Sequence, residues 1–252
     1  MLISERHQKI LEILQKEKAV STKKLMEILY VSEATLRRDL TKMEQKGLIK
    51  RTYGGAMIVE SIANESSILI REQKQVSEKR KIAGKCIELL QNNQSYFVDS
   101  STTIGHLLYL FNNLQDVTVI TNGLNNAAIL MQSSSANVYI TPGFVNVKTN
   151  SILGADTIEY INKFNCNAFL FSCAGISPQG ITEANPEQCM VKREMLKNSK
   201  IHILLADHTK FDKTFLCRSS DFKDIDYLVT DREPEQKYVN MLAEAGVRLI
   251  IA

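Results

Sequence analysis

Apolar residues recur at helical spacing three times within the first 45 residues of the chain. In the first two groups the second and third positions lie three and four residues after the first, and in the third group the steps are four and three residues. Each group therefore predicts a short amphipathic helix with one buried side. The polar pair Ser21 and Thr22 precedes the second group. Ser32 precedes the third, where its hydroxyl can cap the helix by accepting from backbone N–H groups of the first turn. The groups are Ile10, Ile13 and Leu14; Leu25, Ile28 and Leu29; and Leu36, Leu40 and Met43.

The third helix has a polar, cationic side opposite its apolar side. Side chains of these types read base edges in the major groove and contact phosphates, so residues 32–40 (SEATLRRDL) predict the second helix of a helix-turn-helix. For Arg37 and Arg38 taken alone, a solvated basic helix face is an equal alternative. The polar side consists of Ala34, Arg38, Thr41 and Gln45, flanked by Thr35, Arg37 and Lys42.

A short hairpin is predicted after Gly47. Residues 48–59 (LIKRTYGGAMIV) place apolar residues and Arg51 on either side of Gly54 and Gly55, as the wing of a winged helix requires. Residues 1–58 carry twelve Lys or Arg against seven Asp or Glu, whereas the rest of the chain carries a small negative excess. Positive charge concentrated in one region is typical of phosphate binding. Residues 1–58 are therefore predicted to form a winged helix-turn-helix DNA-binding domain.

Strand-like and helix-like runs alternate through the remainder of the chain. Polar residues dominate residues 59–75, which are predicted to be a linker or extended connection, and residues 76–252 are predicted to form one larger domain. The alternation predicts an α/β fold with a doubly wound, Rossmann-like parallel sheet, which binds ligands beyond the carboxyl ends of its strands. The predicted strands are SYFVDS, VTVIT, ANVYIT, NAFLFSC, KIHILLAD, DYLVTD and VRLIIA.

Five of the predicted strands end in polar residues, which makes these ends the candidate ligand site. The Ser and Thr residues after Asp99 lead into a helix, where hydroxyls and backbone N–H groups suit a phosphate or another small anion. Two simpler interpretations stay open: Ser100 or Ser101 only caps the helix, and Asp207 forms a surface ion pair with Lys210. The strand-end residues are Asp99, Ser100, Ser101, Thr102 and Thr103; Thr121, Asn122 and Gly123; Thr141; Ser172; and Asp207 with Lys210.

Composition narrows the class of protein. The chain of 252 residues contains no run of about 18 apolar residues, and its N-terminus (MLISERHQK) lacks the apolar core of a signal peptide, so we expect a cytoplasmic protein. The five cysteines form no C-x-x-C pair, and the four histidines show no metal-ligand spacing, so neither a disulfide framework nor a metal site is expected.

The N-terminal motifs resemble the DeoR family of bacterial transcriptional regulators. Residues 31–40 (VSEATLRRDL) and 47–56 (GLIKRTYGGA) match the helix and wing signatures of that family, and Arg6 matches its usual arginine in the first helix. The resemblance implies DNA contacts from the helix and support from the wing. Asp39 is expected to pair with a neighbouring arginine instead, because DNA phosphates repel a carboxylate. The predicted DNA-binding residues are Ser32, Thr35, Arg37, Arg38, Lys42, Arg51, Tyr53 and Gly54.

The second domain resembles the sensor domain of the same family, whose fold is shared with ribose-5-phosphate isomerase and the CoA transferases. Matching motifs include VDSSTT, ITNG, LGAD, VKREM and ADHTKF. In the family this domain binds a phosphorylated sugar or related metabolite. Two positions depart from the family pattern, because Ser101 and Pro142 stand where glycines are usual and would restrict backbone approach to a ligand. The implied effector-binding residues are Asp99, Ser100, Ser101, Thr102, Thr103, Asn122, Gly143, Asp207 and Lys210.

The resulting hypothesis is a DNA-binding repressor of a carbohydrate or nucleoside catabolic operon, released from its operator by a phosphorylated sugar. The sugar phosphate would be an effector, and no cofactor is expected. A homodimer or homotetramer is expected, since one small domain buries too little surface to specify a DNA site. One alternative is a DNA-binding protein whose second domain only oligomerises. The other is an isomerase-like enzyme using a carboxylate from Asp99, Asp156, Glu183 or Asp207.

Overall fold

The computed structural model describes residues 3–45, 47–57 and 67–252. These residues divide into two compact units, one ending at Arg71 and the other running from Glu72 to Ala252. Residues 59–66 of the predicted linker lie outside the described residues. None of the described helices is long and apolar enough to cross a membrane.

The first unit contains the three predicted helices and the predicted hairpin. Seven of the nine apolar positions identified above are buried together with Val20, Leu48, Ile49 and Ala56, so one core joins the helices to the hairpin. The other two positions, Ile13 and Ile28, are half-buried. Strand β1 lies between the first two helices, was not predicted, and extends the hairpin to a three-stranded antiparallel sheet in the order β1-β3-β2. The elements are α1 (Ile3–Glu17), β1 (Ala19–Ser21), α2 (Thr22–Leu29), α3 (Glu33–Gln45), β2 (Lys50–Thr52) and β3 (Gly55–Met57).

Two helices follow in the region around the domain boundary. Helix α4 (Ile68–Gln73) lies within the segment predicted to be an extended connection, so that prediction was wrong for these residues. Ile68 and Ile70 are buried, and tertiary packing outweighs the weak local periodicity. Helix α5 (Val76–Cys86) was not predicted; it begins the second unit and buries Ile82, Ala83 and Cys86.

A seven-stranded parallel sheet forms the centre of the second unit, as the alternation predicted. Its strand order is β15-β14-β12-β9-β4-β5-β6. Consecutive strand residues alternate between two apolar clusters: Phe97 belongs to one and Val98 to the other, so helices cover both faces of the sheet. The strands are β4 (Ser95–Val98), β5 (Thr118–Thr121), β6 (Asn137–Ile140), β9 (Cys166–Phe171), β12 (Ser199–Leu205), β14 (Tyr227–Thr230) and β15 (Arg248–Ile251).

Smaller elements surround this sheet. Five short strands, none of them predicted, form the hairpin β7-β8 and a separate three-stranded antiparallel sheet in the order β10-β11-β13. They are β7 (Phe144–Asn146), β8 (Ser151–Leu153), β10 (Gly175–Ser177), β11 (Gly180–Glu183) and β13 (Cys217–Ser220). The helices are α6 (Thr102–Leu108), α7 (Leu124–Ser133), α8 (Ala155–Ile161), α9 (Pro186–Lys197) and α10 (Gln236–Glu244).

The strand order places a topological switch point beside β4. The chain moves from β4 to β5 and β6 on one side, then crosses to β9, β12, β14 and β15 on the other. Connections therefore diverge at the carboxyl ends of β4 and β9, and this divergence opens the crevice in which doubly wound sheets bind ligands. Asp99 follows β4 and Ser172 follows β9, so both residues lie at this crevice.

Candidate functional site

Helix α3 buries its apolar side and exposes its cationic side. The Ser32 hydroxyl accepts from the Thr35 backbone N–H at 3.4 Å and lies 3.0 Å from the Thr35 hydroxyl, which confirms Ser32 as the N-terminal cap. Arg37 and Arg38 are both exposed. The Arg37 guanidinium pairs with Glu33 one turn earlier at 2.8 Å, whereas Arg38 Nε donates to the Ala34 carbonyl at 3.4 Å. Lys42 is exposed one turn after Arg38.

Asp39 is held inside the unit by α1. Arg6 Nε donates to Asp39 Oδ2 at 2.5 Å and Arg6 Nη2 to Oδ1 at 3.2 Å, while His7 Nε2 lies 3.1 Å from Oδ1. This geometry confirms the expectation that Asp39 is a structural partner of an arginine. Burial alone would raise the pKa of Asp39, but hydrogen bonds from Arg6 and His7 outweigh that effect and lower it.

The hairpin β2-β3 turns at Tyr53 and Gly54, as the wing prediction required. Gly54 has φ of +125°, a region that favours glycine, and Tyr53 is fully exposed at the tip. Gly55 passes so close to β1 that an added Cβ would lie 2.4 Å from the Val20 carbonyl oxygen. The Arg51 side chain leaves the hairpin and donates to the Thr41 hydroxyl of α3 at 2.8 Å. Arg51 therefore ties the wing to the helix.

Asp99 and Ser172 meet at the switch point of the large sheet. The buried carboxylate of Asp99 accepts from the backbone N–H groups of Ser101 at 2.9 Å and Ser172 at 3.0 Å. The Ser172 hydroxyl also lies 3.5 Å from that of Thr103. These contacts join the ends of β4 and β9 into one polar cluster.

A buried lysine that the sequence analysis did not single out completes this cluster. Lys192 Nζ of α9 lies 2.6 Å from Glu183 Oε1, 2.7 Å from the Ser172 carbonyl oxygen and 3.1 Å from Asp99 Oδ2. Burial alone would lower the pKa of Lys192, but the carboxylates of Glu183 and Asp99 outweigh it and raise the pKa well above its usual range. Lys192 therefore remains protonated at neutral pH.

The Ser and Thr residues that follow β4 form hydrogen bonds with different parts of the protein. Ser101 caps α6, because its hydroxyl accepts from the Ile104 backbone N–H at 3.3 Å, and its φ of −76° is ordinary for any residue, so serine adds no backbone strain here. Ser100 accepts from Gln188 Nε2 at 3.2 Å. Thr102 accepts from Lys79 Nζ of α5 at 2.9 Å. Most of these side chains are thus already engaged within the protein.

Three buried polar atoms near the ends of β4, β5 and β6 have no hydrogen-bond partner within the described part of the chain. They are Asn122 Oδ1, Thr141 Oγ1 and Gln188 Oε1. The amide nitrogen of Asn122 donates to the Ile152 carbonyl at 3.2 Å, and that of Gln188 donates to the Ser151 hydroxyl at 2.7 Å. Their oxygens are consequently oriented by protein contacts while remaining available as acceptors.

Gly143 is placed by packing. It has φ of +139°, and an added Cβ would lie 2.4 Å from the Leu153 carbonyl oxygen and 2.5 Å from Thr157 Oγ1. The preceding Pro142 carbonyl accepts from the same Thr157 hydroxyl at 2.7 Å. The atoms nearest to the position of that Cβ belong to β8 and α8.

Asp207 and Lys210 do not form the surface ion pair that was left open. Asp207 is buried after β12 and accepts from the Thr209 backbone N–H at 3.0 Å and from the Thr209 hydroxyl. Lys210 is half-buried, and its ammonium group has no hydrogen bond or ion pair with any residue that the structure describes. Lys210 also acts electrostatically on Cys173, which follows β9, so its charge lies near the switch point.

Sequence patterns contained a signal for Lys192 and Lys79. On their helices both occupy positions in the apolar stripe, where a lysine is expected only if a buried partner compensates its charge. Among the residues that the structure describes, no group of three His, Cys, Asp or Glu side chains could hold a metal ion.

Two domain models match the chain. The DeoR-like helix-turn-helix domain matches residues 6–62, and the DeoR C terminal sensor domain matches residues 74–232. The chain is 33% identical over 255 residues to the HTH-type transcriptional repressor GlcR of Bacillus subtilis, covering 100% of this chain and 97% of that protein. It is 28% identical to the glycerol-3-phosphate regulon repressor of Escherichia coli, with 98% of each chain covered.

Solved structures give only low-scoring alignments with this chain. Ribose 5-phosphate isomerase from Plasmodium falciparum aligns with a TM-score of 0.40 and 13% identity, covering 54% of this chain and 52% of that one. The winged helix and the sensor fold together define a DNA-binding transcriptional repressor and not an enzyme. The chain belongs to the DeoR family.

Proposed function

We propose that this repressor controls a carbohydrate or nucleoside catabolic operon and that a phosphorylated sugar, bound at the carboxyl ends of the parallel strands, releases it from operator DNA. Three observations carry the sensor part: the switch point, three buried polar atoms without a hydrogen-bond partner among the described residues, and the ammonium group of Lys210, which has no partner there either. The E. coli relative is named for glycerol 3-phosphate, a phosphorylated polyol, which favours an effector of similar chemistry here.

In the DNA-binding part, Thr35, Arg37, Arg38 and Lys42 of α3 face the operator. Arg38 is the strongest candidate for a base or phosphate contact, because its side chain is exposed and bonded only to its own helix. Before Arg37 could contact DNA, its ion pair with Glu33 would have to break. This pair is exposed and joins positions i and i+4, so breaking it costs only a few tenths of a kcal/mol.

The wing contributes a second contact surface. Tyr53 and Gly54 form its exposed tip, and Arg51 fixes its position against α3. Arg51 therefore acts in this proposal by holding the wing at the correct distance from the recognition helix, and the tip lies along the DNA backbone.

Within the sensor, the unpartnered oxygens of Asn122 and Gln188 accept sugar hydroxyl groups, and Lys210 pairs with the phosphate. Three neighbouring side chains position the site and do not contact the effector, because each already forms hydrogen bonds inside the protein. They are Asp99, Ser101 and Thr102. The effector can regulate DNA binding only if its binding free energy differs between the DNA-bound and DNA-free states of the protein. For ordinary coupling this difference is about 1 to 3 kcal/mol.

We further propose that sensor units associate as a homodimer or homotetramer in the cytoplasm, so that paired winged helices contact repeated half-sites. Support comes from exposed apolar side chains on the edge strand β6 and in the hairpin region after it, since uncovered edge strands and apolar surfaces favour association. These side chains are Tyr139, Ile140, Phe144, Val145 and Val147.

Fluorescence anisotropy tests both halves of the proposal, using DNA from upstream of the protein's own gene, competitor DNA and a panel of sugar phosphates. Arg38→Ala should weaken operator binding at least tenfold. If Arg38 contacts a phosphate, the variant should also reduce the slope of log affinity against log salt concentration by about 1; if Arg38 contacts a base, the variant should instead lose specificity at one base pair. Lys163→Ala, an exposed change in the sensor, is the matched control and should bind as the wild type does.

The effector half is tested with Lys210→Ala. This variant should bind operator normally and lose release by the active sugar phosphate. Release of Lys210→Ala at wild-type concentrations would remove Lys210 from the site. Specific DNA binding that no compound in the panel affects would favour a second unit that only oligomerises.

A further inference from the structure

A charged cavity lies near the amino ends of β12 and β14, whereas the proposed effector site lies at the carboxyl ends of the parallel strands. The cavity has a volume of about 640 Å³, within the range of small-molecule sites. Five cationic side chains from four different elements line it: Arg193 and Lys197 of α9, Lys200 of β12, Arg218 of β13, and Lys223 in the short helix Phe222–Asp224. We refer to this cavity as the cationic groove.

The acidic residues in the cationic groove are already committed to other contacts. Asp221 pairs with Arg218 at 3.2 Å, and Asp224 Oδ2 accepts from the Asp221 backbone N–H at 2.8 Å. Asp226 Oδ2 accepts from the His202 backbone N–H at 2.7 Å. Because five cationic side chains and three carboxylates line the groove, it keeps an excess of positive charge.

Two of its lysines are free. The ammonium groups of Lys200 and Lys223 have no hydrogen bond or ion pair with any residue in the described ranges. Ser220, which also lines the groove, is buried, and its hydroxyl has no partner there either. Two ammonium groups without a counter-charge are the kind of group that a phosphate engages.

The groove is separate from the proposed effector site. Lys200 is the second residue of β12, whereas Asp207 follows the end of that strand. At about 3.3 Å per residue, the two positions lie roughly 20 Å apart along the strand. Both sites can be occupied at once.

The groove's chemistry restricts the ligand. Leu196 is the one aliphatic side chain among the described lining residues, and that lining includes His202 but no Phe, Tyr or Trp. A nucleobase or an acyl chain would find little surface to pack against, whereas spatially separated cations suit separated negative charges. We propose that the cationic groove is a second ligand site and binds a small anion that carries two or more phosphate groups.

Isothermal titration calorimetry of the full chain with inorganic pyrophosphate tests the proposal, with inorganic phosphate as the smaller comparison. The wild type should bind one pyrophosphate per chain, more tightly than phosphate. Lys200→Gln combined with Lys223→Gln should weaken pyrophosphate binding at least tenfold. The control, Lys85→Gln combined with Lys163→Gln, removes the same charge from exposed positions outside the groove and should change the affinity less than twofold.

Three results would overturn the proposal. The first is an absence of pyrophosphate binding to the wild type. The second is an equal loss in the groove variant and the control, which would show non-specific attraction. The third is a loss in Lys210→Ala but not in the groove variant, which would assign the anion to the strand ends. Melting temperatures equal to that of the wild type verify that the variants are folded.

Discussion

Lys192→Met should destabilise the sensor unit strongly, because it removes the cation from a buried cluster while keeping a side chain of similar length. Lys192 Nζ has three donors, and the structure provides three acceptors: Glu183 Oε1 at 2.6 Å, the Ser172 carbonyl at 2.7 Å and Asp99 Oδ2 at 3.1 Å. The substitution leaves two buried carboxylates without this cation.

The size of the effect follows from the environment of each carboxylate. Removing one partner of a buried ion pair costs about 3 to 5 kcal/mol of unfolding free energy. Asp99 retains the backbone donors of Ser101 and Ser172, which offset part of the cost at that carboxylate. For a domain of this size, each kcal/mol lowers the melting temperature by about 2 to 4 °C, which predicts a decrease of roughly 6 to 20 °C.

The assay is differential scanning calorimetry of the full-length protein at pH 7.5 and pH 5. Lys192→Met combined with Glu183→Gln should recover part of the loss, because the second change removes one of the two uncompensated charges and leaves Asp99 with its backbone donors. Lys197→Met on the same helix is the control; its pair with Glu194 is solvent-exposed, so its effect should stay within about 0.5 kcal/mol.

The pH dependence provides an independent check. An uncompensated buried carboxylate has a folded-state pKa above its unfolded value of about 4.3, so the penalty is absent at low pH and grows as the pH rises through that range. The stability gap between wild type and Lys192→Met should therefore be larger at pH 7.5 than at pH 5. A loss below about 1 kcal/mol, or no recovery in the double variant, would refute the reasoning.

Further predictions concern the winged helix and two glycines. The lowered pKa of Asp39, held by Arg6, contributes stability that is present above its unfolded value of about 3.9 and is lost as the pH falls through the folded-state value. Circular dichroism melts between pH 6 and pH 3 should thus show a weaker acid dependence in Asp39→Asn than in the wild type; identical slopes would contradict this. Gly143→Ala should lower the unfolding free energy by at least about 1 to 3 kcal/mol, because its Cβ would meet the Leu153 carbonyl at a positive φ. Gly84→Ala, in open space on α5, should instead raise it by about 0.5 to 1 kcal/mol, and urea unfolding measures both changes.

Short elements show where prediction from the sequence was weakest. Strands β7 and β8 contain three residues each, too few to establish a period of two, and their pairing depends on contacts with distant parts of the chain. Helix α4 was missed for a related reason, since Ile68 and Ile70 gain their burial from tertiary packing.

The sequence by itself determined the three helices, the cap at Ser32, the Gly54 turn and the strands of the large sheet, because each depends on local periodicity or backbone preference. It also indicated that polar residues follow the strands. Only the tertiary structure decided that β4 and β9 are neighbours, that Lys192 compensates Asp99 and Glu183, and that the Lys210 ammonium group has no partner among the described residues. Strand order and buried charge pairing arise from contacts between residues far apart in the chain, and no local pattern specifies them.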